Sequence, residues 1–594
     1  MMSARTMNNP DALRAVSPAN ALANGISATR RAFTLVGFLT VGVNALLLTV
    51  PLYLFQISDR VLTSQSMETL VMLTIIAMGA LAVYALLDGL RRSVLTRAAL
   101  GLETALGGPV FASSFDKPGA AQKDLQGLRD LSQLRNFLSG PVVPILFDVP
   151  LAPLFILVVY LIHPQLGVIT LVGALLLFAI ALVNRAATAK PLALVDGHAM
   201  RAHAQAEGQA RNREVIRAMG MIGDCMALWG KENAQGLKAQ ALAGDRNATW
   251  SGLSKFLRLA LQIAILGWGA FLALGGELTA GMIIAASIVA GRGLAPIVGS
   301  IEAWRSAVQA NGAYRRVTHL LQMSSEDVAR TELPVPKGKV KAERLLLVPA
   351  GQREPVLQDI SFEIEPGESI AIIGPTGAGK STLARMMVGA LEPSSGCVRL
   401  DGVDVRHWDR TQFGRHVGYL PQDVELLPGT VASNIARMRG DASSAQIVEA
   451  AQLACVHGLI AELPQAYETD IRIIPLSGGQ KQRVALARAF FGSPSFIVLD
   501  EPNANLDSEG EEALAEALRN AKEKGITVVT ITQRPAVLRS ADKVMVMKGG
   551  RIEAFVPRDE VLGRLMPVHK APGNALQPIH QALQPNNGQI RRTS

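Results

Sequence analysis

The chain has 594 residues, of which 49% are hydrophobic and 18% charged, and its mean hydropathy is +0.26. These values exclude a disordered chain and fit a membrane domain joined to a soluble one better than an ordinary soluble enzyme. The 58 Lys and Arg residues exceed the 49 Asp and Glu residues, for a net charge of +9. That bias fits nucleic acid, anionic lipid or basic membrane-flanking loops until the charges are located. Cys225, Cys397 and Cys455 lie far apart without a CxxC, so neither a disulfide scaffold nor a zinc site is expected, and the soluble part is expected to face a reducing compartment.

Residues 1–30 are polar, with no apolar run before a small-residue cleavage site, so no signal peptide is expected. Phe33 to Ile57 and Thr69 to Leu90 are each long enough to cross about 30 Å of hydrocarbon as a helix. Further apolar windows at 142–162, 166–184, 256–275 and 280–298 bring the count to six spans. Seven basic residues (Arg91, Arg92, Arg97, Lys117, Lys123, Arg129 and Arg135) lie between spans two and three, and ten, from Arg185 to Lys255, lie between spans four and five. Of the opposite loops only Ser58 to Glu68 carries a basic residue, Arg60. The asymmetry predicts that both termini are cytoplasmic and accounts for the positive charge without nucleic acid. The two basic segments are rich in Ala, Leu, Gln, Arg and Glu, and read as membrane helices continuing tens of ångströms into the cytoplasm.

Two ionisable residues fall in or near spans, where a charge is costly and suggests function. Asp148, in Phe147-Asp148-Val149-Pro150-Leu151-Ala152-Pro153, could cap a broken helix or act in transport. Arg292, between Gly291 and Gly293, could face a helix bundle or wet cavity, or snorkel to the interface.

A helical connector, Ile301 to Met323, leads to a polar boundary around Thr331 to Gly338. Beyond it, Ile360 to Ile364 alternates as a strand, and Glu368 to Ile373 reads as a buried strand. The latter runs into Gly374-Pro375-Thr376-Gly377-Ala378-Gly379-Lys380-Ser381-Thr382 and then a helical run. This is the phosphate-loop pattern in its required strand-loop-helix context. Its glycines let backbone N–H groups wrap the phosphates, Lys380 neutralises the β and γ charges, and Ser381 offers a hydroxyl to Mg²⁺, so a nucleoside triphosphate is the expected ligand. Phe496-Ile497-Val498-Leu499-Asp500 reads as a buried strand ending in a carboxylate, followed by Glu501. Asp500 is expected to hold Mg²⁺, usually through water, and Glu501 to polarise the attacking water as general base.

Between these motifs lies Leu476-Ser477-Gly478-Gly479-Gln480, and here the sequence resembles the ATP-binding cassette transporters, whose signature this pentapeptide matches at every position. The resemblance implies an α-helical six-span transmembrane domain followed by an α/β P-loop NTPase domain, with ATP and Mg²⁺ as ligands. It also implies a homodimer in which Ser477 and Gly479 reach the γ-phosphate held by the other subunit. Gln422 matches the family's glutamine loop, which senses Mg²⁺ and the membrane domain, and Asp507 matches the loop linking the two sites. The expected layout is a polar N-terminus (1–30), a membrane domain (31–323), a linker (324–338), a nucleotide-binding domain (339–568) and a disordered tail (569–594). Within the family, Phe147 to Pro153, Leu294-Ala295-Pro296, Val398 to Gly402, Gly418 to Gln422 and Glu501-Pro502-Asn503 are similar to type I secretion exporters of repeat-in-toxin proteases. That similarity implies a bacterial inner-membrane protein that sends a polypeptide cargo outward with a periplasmic adaptor and an outer-membrane channel. The short N-terminus argues against the leader-cleaving subfamily.

Three positions depart from the family. Gln533 stands where most members have the switch histidine; it can donate a hydrogen bond to the γ-phosphate but cannot carry the imidazole's charge. Leu345-Leu346-Leu347-Val348-Pro349 offers no aromatic residue to stack on adenine. Asp470-Ile471-Arg472-Ile473-Ile474-Pro475 replaces a glycine- and glutamate-containing loop. Two alternatives stay open: an exporter of lipid or small amphipathic molecules, and a regulatory paralogue that hydrolyses ATP poorly.

Overall fold

A computed structural model describes residues 18–115, 126–323, 332–349 and 351–560. The chain divides into two compact units, Met1–Asp327 and Val328–Ser594. The tail expected to be disordered lies outside the described residues, as does most of the polar N-terminus.

Among the described residues of the first unit, six helices are long and apolar enough to cross a membrane. Helix α1 (Pro18–Leu46) begins well before the hydropathic window because the Ala-rich polar turns keep good helix propensity. Its early turns pack Leu22 against Leu102 and Leu106. After a break at Leu47 and Leu48 comes α2 (Thr49–Gln56), and then a π-helical turn, Ile57–Val61. Helix α3 (Met67–Ser113) starts at Ser66, whose hydroxyl accepts from the Thr69 N–H. The next helices are α4 (Gln126–Ser139) and α5 (Val142–Asp148). Pro150 and Pro153 interrupt the third span as a 3-10 turn, Val149–Leu151, before α6 (Ala152–Ile162). Helices α7 (Pro164–Arg211), α8 (Ile222–Leu274) and α9 (Ala280–Met323) complete the unit. With 48 and 53 residues, α7 and α8 extend about 70 to 80 Å, far beyond the ~30 Å of a bilayer core. Large side chains such as Phe38, Leu161 and Ile263 are more than 70% exposed on these helices, as a lipid-facing surface requires.

The unit's buried charges are paired. Arg91, with a side chain only 6% exposed, donates to Asp88 at 2.7 Å and to Asp148 at 2.9 Å. Asn44 of α1 donates to the same Asp148 oxygen at 2.9 Å. Asp148 therefore does not cap the helix break; it makes no cap hydrogen bond and instead ties α1, α3 and α5 together. Arg91, counted from sequence as a topology-setting loop residue, is the buried partner. At the N-terminal end of α9, Asp59 accepts from the Gly281 N–H at 3.1 Å and from the Thr279 hydroxyl, capping that helix from the π-helical turn. Arg292 is exposed on α9, between the half-buried Gly291 and the buried Gly293.

In the second unit, an antiparallel sheet contains β1 (Val340–Leu347), β2 (Leu357–Ile364), β4 (Ser395–Leu400) and β5 (Val403–Asp404), in the order β2-β1-β4-β5. The larger sheet is built from β3 (Ser369–Ile373), β6 (Val417–Leu420), β7 (Phe496–Asp500), β8 (Thr527–Ile531), β9 (Lys543–Lys548) and β10 (Arg551–Pro557), in the order β10-β9-β3-β8-β7-β6. All its pairings are parallel except that of β10 with β9. Every residue of β3, β7 and β8 is buried, which explains their uninterrupted apolar runs. Because β8 lies between β3 and β7, the segments following three separate strands emerge side by side at the C-terminal edge, where ligands bind open α/β sheets.

Candidate functional site

The phosphate loop joins β3 to α10 (Lys380–Met387). Gly374 has φ +153°, and a Cβ there would collide with the Met547 carbonyl; Gly379 has φ +91° and would place a Cβ 2.5 Å from Leu357. Only glycine lets the loop lie this close to β2 and β9. Pro375 is half-buried, Thr376 and Gly377 face outward, and Ala378 is buried. Lys380, 7% exposed, folds back so that Nζ donates to the Gly374 and Pro375 carbonyls at 2.9 Å each. Burial pulls its pKa below the ordinary lysine value, against the pull of Glu501 and Asp500. Ser381 and Thr382 follow in the first turn of α10, half-buried.

Asp500 ends β7 and is 1% exposed. It accepts from the Ser381 hydroxyl at 3.1 Å, which brings together the two residues expected to hold the metal. Burial raises the Asp500 pKa; the Ser381 hydrogen bond opposes the shift and Glu501 adds to it. Glu501 has φ +50°, a left-handed conformation that is costly for a non-glycine residue. The Gln422 side chain donates to its carboxylate at 3.1 Å. All of these contacts are oxygen-rich, a hydroxyl, a carboxylate and an amide, which suits Mg²⁺. Gln533 lies exposed just beyond β8, next to Thr532, whose hydroxyl donates to the Asn503 side chain at 3.1 Å.

The signature forms a separate part of the site. Ser477 caps α11 (Gly478–Phe490) in a reciprocal box: its hydroxyl accepts from the Gln480 N–H at 3.2 Å, and the Gln480 side chain accepts from the Ser477 N–H at 2.9 Å. A Cβ on Gly479 would sit 2.9 Å from the Asn505 carbonyl, so this position admits little more than glycine. No hydrogen bond joins Ser477 or Gly479 to the phosphate loop among the described residues. Asp507 caps α12 (Ser508–Glu523) by accepting from the Gly510 N–H at 2.9 Å, and it pairs with Arg483 of α11 at 2.9 Å.

The profile of the ABC transporter family matches residues 357–504, and that of the ABC transporter transmembrane region matches 33–291. The type I secretion system ATP-binding protein PrsD of Rhizobium meliloti (strain 1021) is 39% identical over 542 residues, covering 90% of this chain and 93% of PrsD. This chain belongs to the ABC transporters. Among its relatives, the cyclolysin secretion/processing ATP-binding protein CyaB of Bordetella pertussis is 27% identical, over 84% of this chain and 72% of CyaB. A bacterial Atm1-family ABC exporter with ATP bound shares the fold, with a TM-score of 0.75 at 21% identity over 90% of this chain and 96% of the exporter. The ABC transporter described here is thus an ATP-hydrolysing membrane transporter.

Around its site lie residues that the motif spacing did not single out. The buried Gln482 amide reaches the main chain of Glu501 and Pro502. Arg437, at φ +54°, donates to the Arg488, Ala489, Val417 and Gly414 carbonyls, pinning the C-terminal end of α11 to the start of β6. Burial pushes its pKa down to about 10. Both act on backbone atoms, which leave no pairing signal in sequence. At the departures from the family, Val348 donates its N–H to Ser394 at 3.0 Å. Asp470 accepts from Arg472 in a local clasp that leaves Ile473 77% exposed.

Proposed function

We propose that this ABC transporter drives a polypeptide across the bacterial inner membrane as the homodimeric ATPase of a type I secretion system, with both termini in the cytoplasm. The observation that carries this reading is the 39% identity to a type I secretion ATP-binding protein across 90% of the chain. A periplasmic adaptor and an outer-membrane channel are the partners that a type I system implies.

In this reading Lys380 exchanges its two loop carbonyls for the β- and γ-phosphates of ATP, with the backbone of Gly374 to Gly379 wrapped around them. Ser381, Asp500 and Gln422 would hold Mg²⁺, which when bound neutralises the charge that develops on the phosphates. Glu501 takes a proton from the attacking water, and Gln422, already hydrogen-bonded to it, orients that carboxylate. Gln533 donates a hydrogen bond to the γ-phosphate. Ser477 and Gly479 act on the nucleotide of the second copy, consistent with an exposed helix N-terminus that makes no bond to its own phosphate loop. Asp507 holds the linking loop to α11.

Deleting the gene in its host is expected to remove one or more polypeptides from the culture medium. Wild-type protein should restore them and Glu501→Gln should not. Unchanged secreted polypeptides with altered membrane lipid would overturn the cargo assignment.

A further inference from the structure

Gln482 lies at the second turn of α11 and is 1% exposed. A position so enclosed ordinarily takes an apolar side chain, as its neighbours Val484 and Ala485 do. Instead its amide is fully engaged. Nε2 donates to the Pro502 carbonyl at 2.7 Å and to the Glu501 carbonyl at 3.2 Å, while Oε1 accepts from the Asn505 side chain at 3.1 Å. Both carbonyls can only accept, so the amide has one admissible orientation.

The main chain it grips is strained. Glu501 sits at φ +50°, held on one side by its own N–H donating to the Ile531 carbonyl of β8 at 3.0 Å. On the other side its carbonyl receives Gln482 together with the Ala504 N–H, the latter at 3.1 Å. A left-handed glutamate persists only where its surroundings over-determine it. The Gln482 amide supplies one of those restraints from a different element, the helix that begins at Ser477. The same amide also holds Asn505, whose carbonyl closes on Gly479.

We propose that Gln482 is a positioning residue for ATP hydrolysis: it fixes the backbone on which the Glu501 carboxylate is mounted and makes that geometry depend on the signature helix. The proposal rests on the reading of Glu501 as general base. In a dimer whose signature serves the partner's nucleotide, this amide is a direct mechanical link between a chain's own base and the site its signature completes. Displacement of α11 when the partner's nucleotide binds is passed to Glu501 through two hydrogen bonds.

The test uses the full-length transporter, purified in detergent. Gln482→Met keeps the volume and removes the amide. It is expected to lower kcat for ATP about tenfold or more while KM stays within about twofold, the signature of an interaction made in the transition state. Asn505→Ala, which removes the partner of Oε1, should lower kcat less, and the double variant should be no slower than Gln482→Met alone because Asn505 acts through the same amide. An unchanged kcat in Gln482→Met, or equal losses in kcat and nucleotide affinity, would overturn the proposal. If Gln482→Met does not fold, a lowered kcat at constant KM in Asn505→Ala supports it and an unchanged kcat rejects it. Glu501→Gln separates the two readings. Full activity in that variant defeats the general-base assignment, whereas an inactive Glu501→Gln beside an unaffected Gln482→Met defeats only the positioning role.

Discussion

The membrane bundle and the nucleotide site of this transporter treat buried charge in opposite ways. In the membrane unit Arg91 is matched by Asp88 and Asp148, each within 3 Å, and Asp148 also accepts from the Asn44 amide. In the cassette, Lys380 and Asp500 are as deeply buried, yet each makes hydrogen bonds and no ion pair among the described residues. Charges that serve structure are neutralised within the chain, whereas those that serve chemistry are left under-compensated, so that a triphosphate and its metal complete them.

The comparison predicts the largest effect in the membrane unit. Arg91→Met leaves Asp148 without a cation, while Asp88 keeps Arg92 at 2.8 Å, and is expected to cost about 3–5 kcal/mol, the range for breaking a buried pair from one side. Thermal unfolding in detergent measures this; a loss below about 1 kcal/mol would show that the network is solvated and the contrast false.

In the cassette, removing a charge should act in the other direction. Asp500 has its pKa raised in the folded state, chiefly by burial. A raised carboxyl gives stability that is fully present below its unfolded pKa and is lost as pH rises through the folded one. At neutral pH the ionised Asp500 is therefore a cost, and Asp500→Asn should raise the melting temperature of the nucleotide-free protein while abolishing ATP hydrolysis. The stability gap should close as the pH falls into the carboxylate range. A variant less stable than wild type at pH 7 would refute the idea that this charge is under-compensated.

The smallest expected effect is at Gln533. It is exposed, and histidine there could add charge near the γ-phosphate, so Gln533→His should raise kcat by about two- to tenfold. An unchanged steady-state ATPase rate would mean that another step limits turnover.

What could be read from sequence follows from how each feature is encoded. Gly374 to Thr382 is contiguous and its strand-loop-helix context is local, so the phosphate loop and its ligand were legible outright. Asp500 and Glu501 were legible because a fully buried strand reads as an unbroken apolar run. The Arg91 network was not, since it joins residues 57 and 104 positions from their partners and each alone looks like an ordinary flanking charge. The start of α1 at Pro18 was missed because an apolar window measures bilayer thickness, not helix length. Gln482 was hidden within a motif whose first five letters had already explained it.

The length of α7 and α8 has a mechanical consequence. The two helices pack on each other over much of their extent, and Gly173 allows the backbone to approach Leu261 where a Cβ would collide. Despite Pro191 inside α7, such a packed pair is expected to act as one beam. For a beam about 80 Å long, a tilt of about 5° at one end carries the other about 7 Å, more than a full helical turn. Its stiffness, not its sequence at either end, would then set how faithfully a small rotation is transmitted. Gly173→Leu, which pries the beam open at one point, is a way to alter that gearing without touching a charge or a nucleotide ligand.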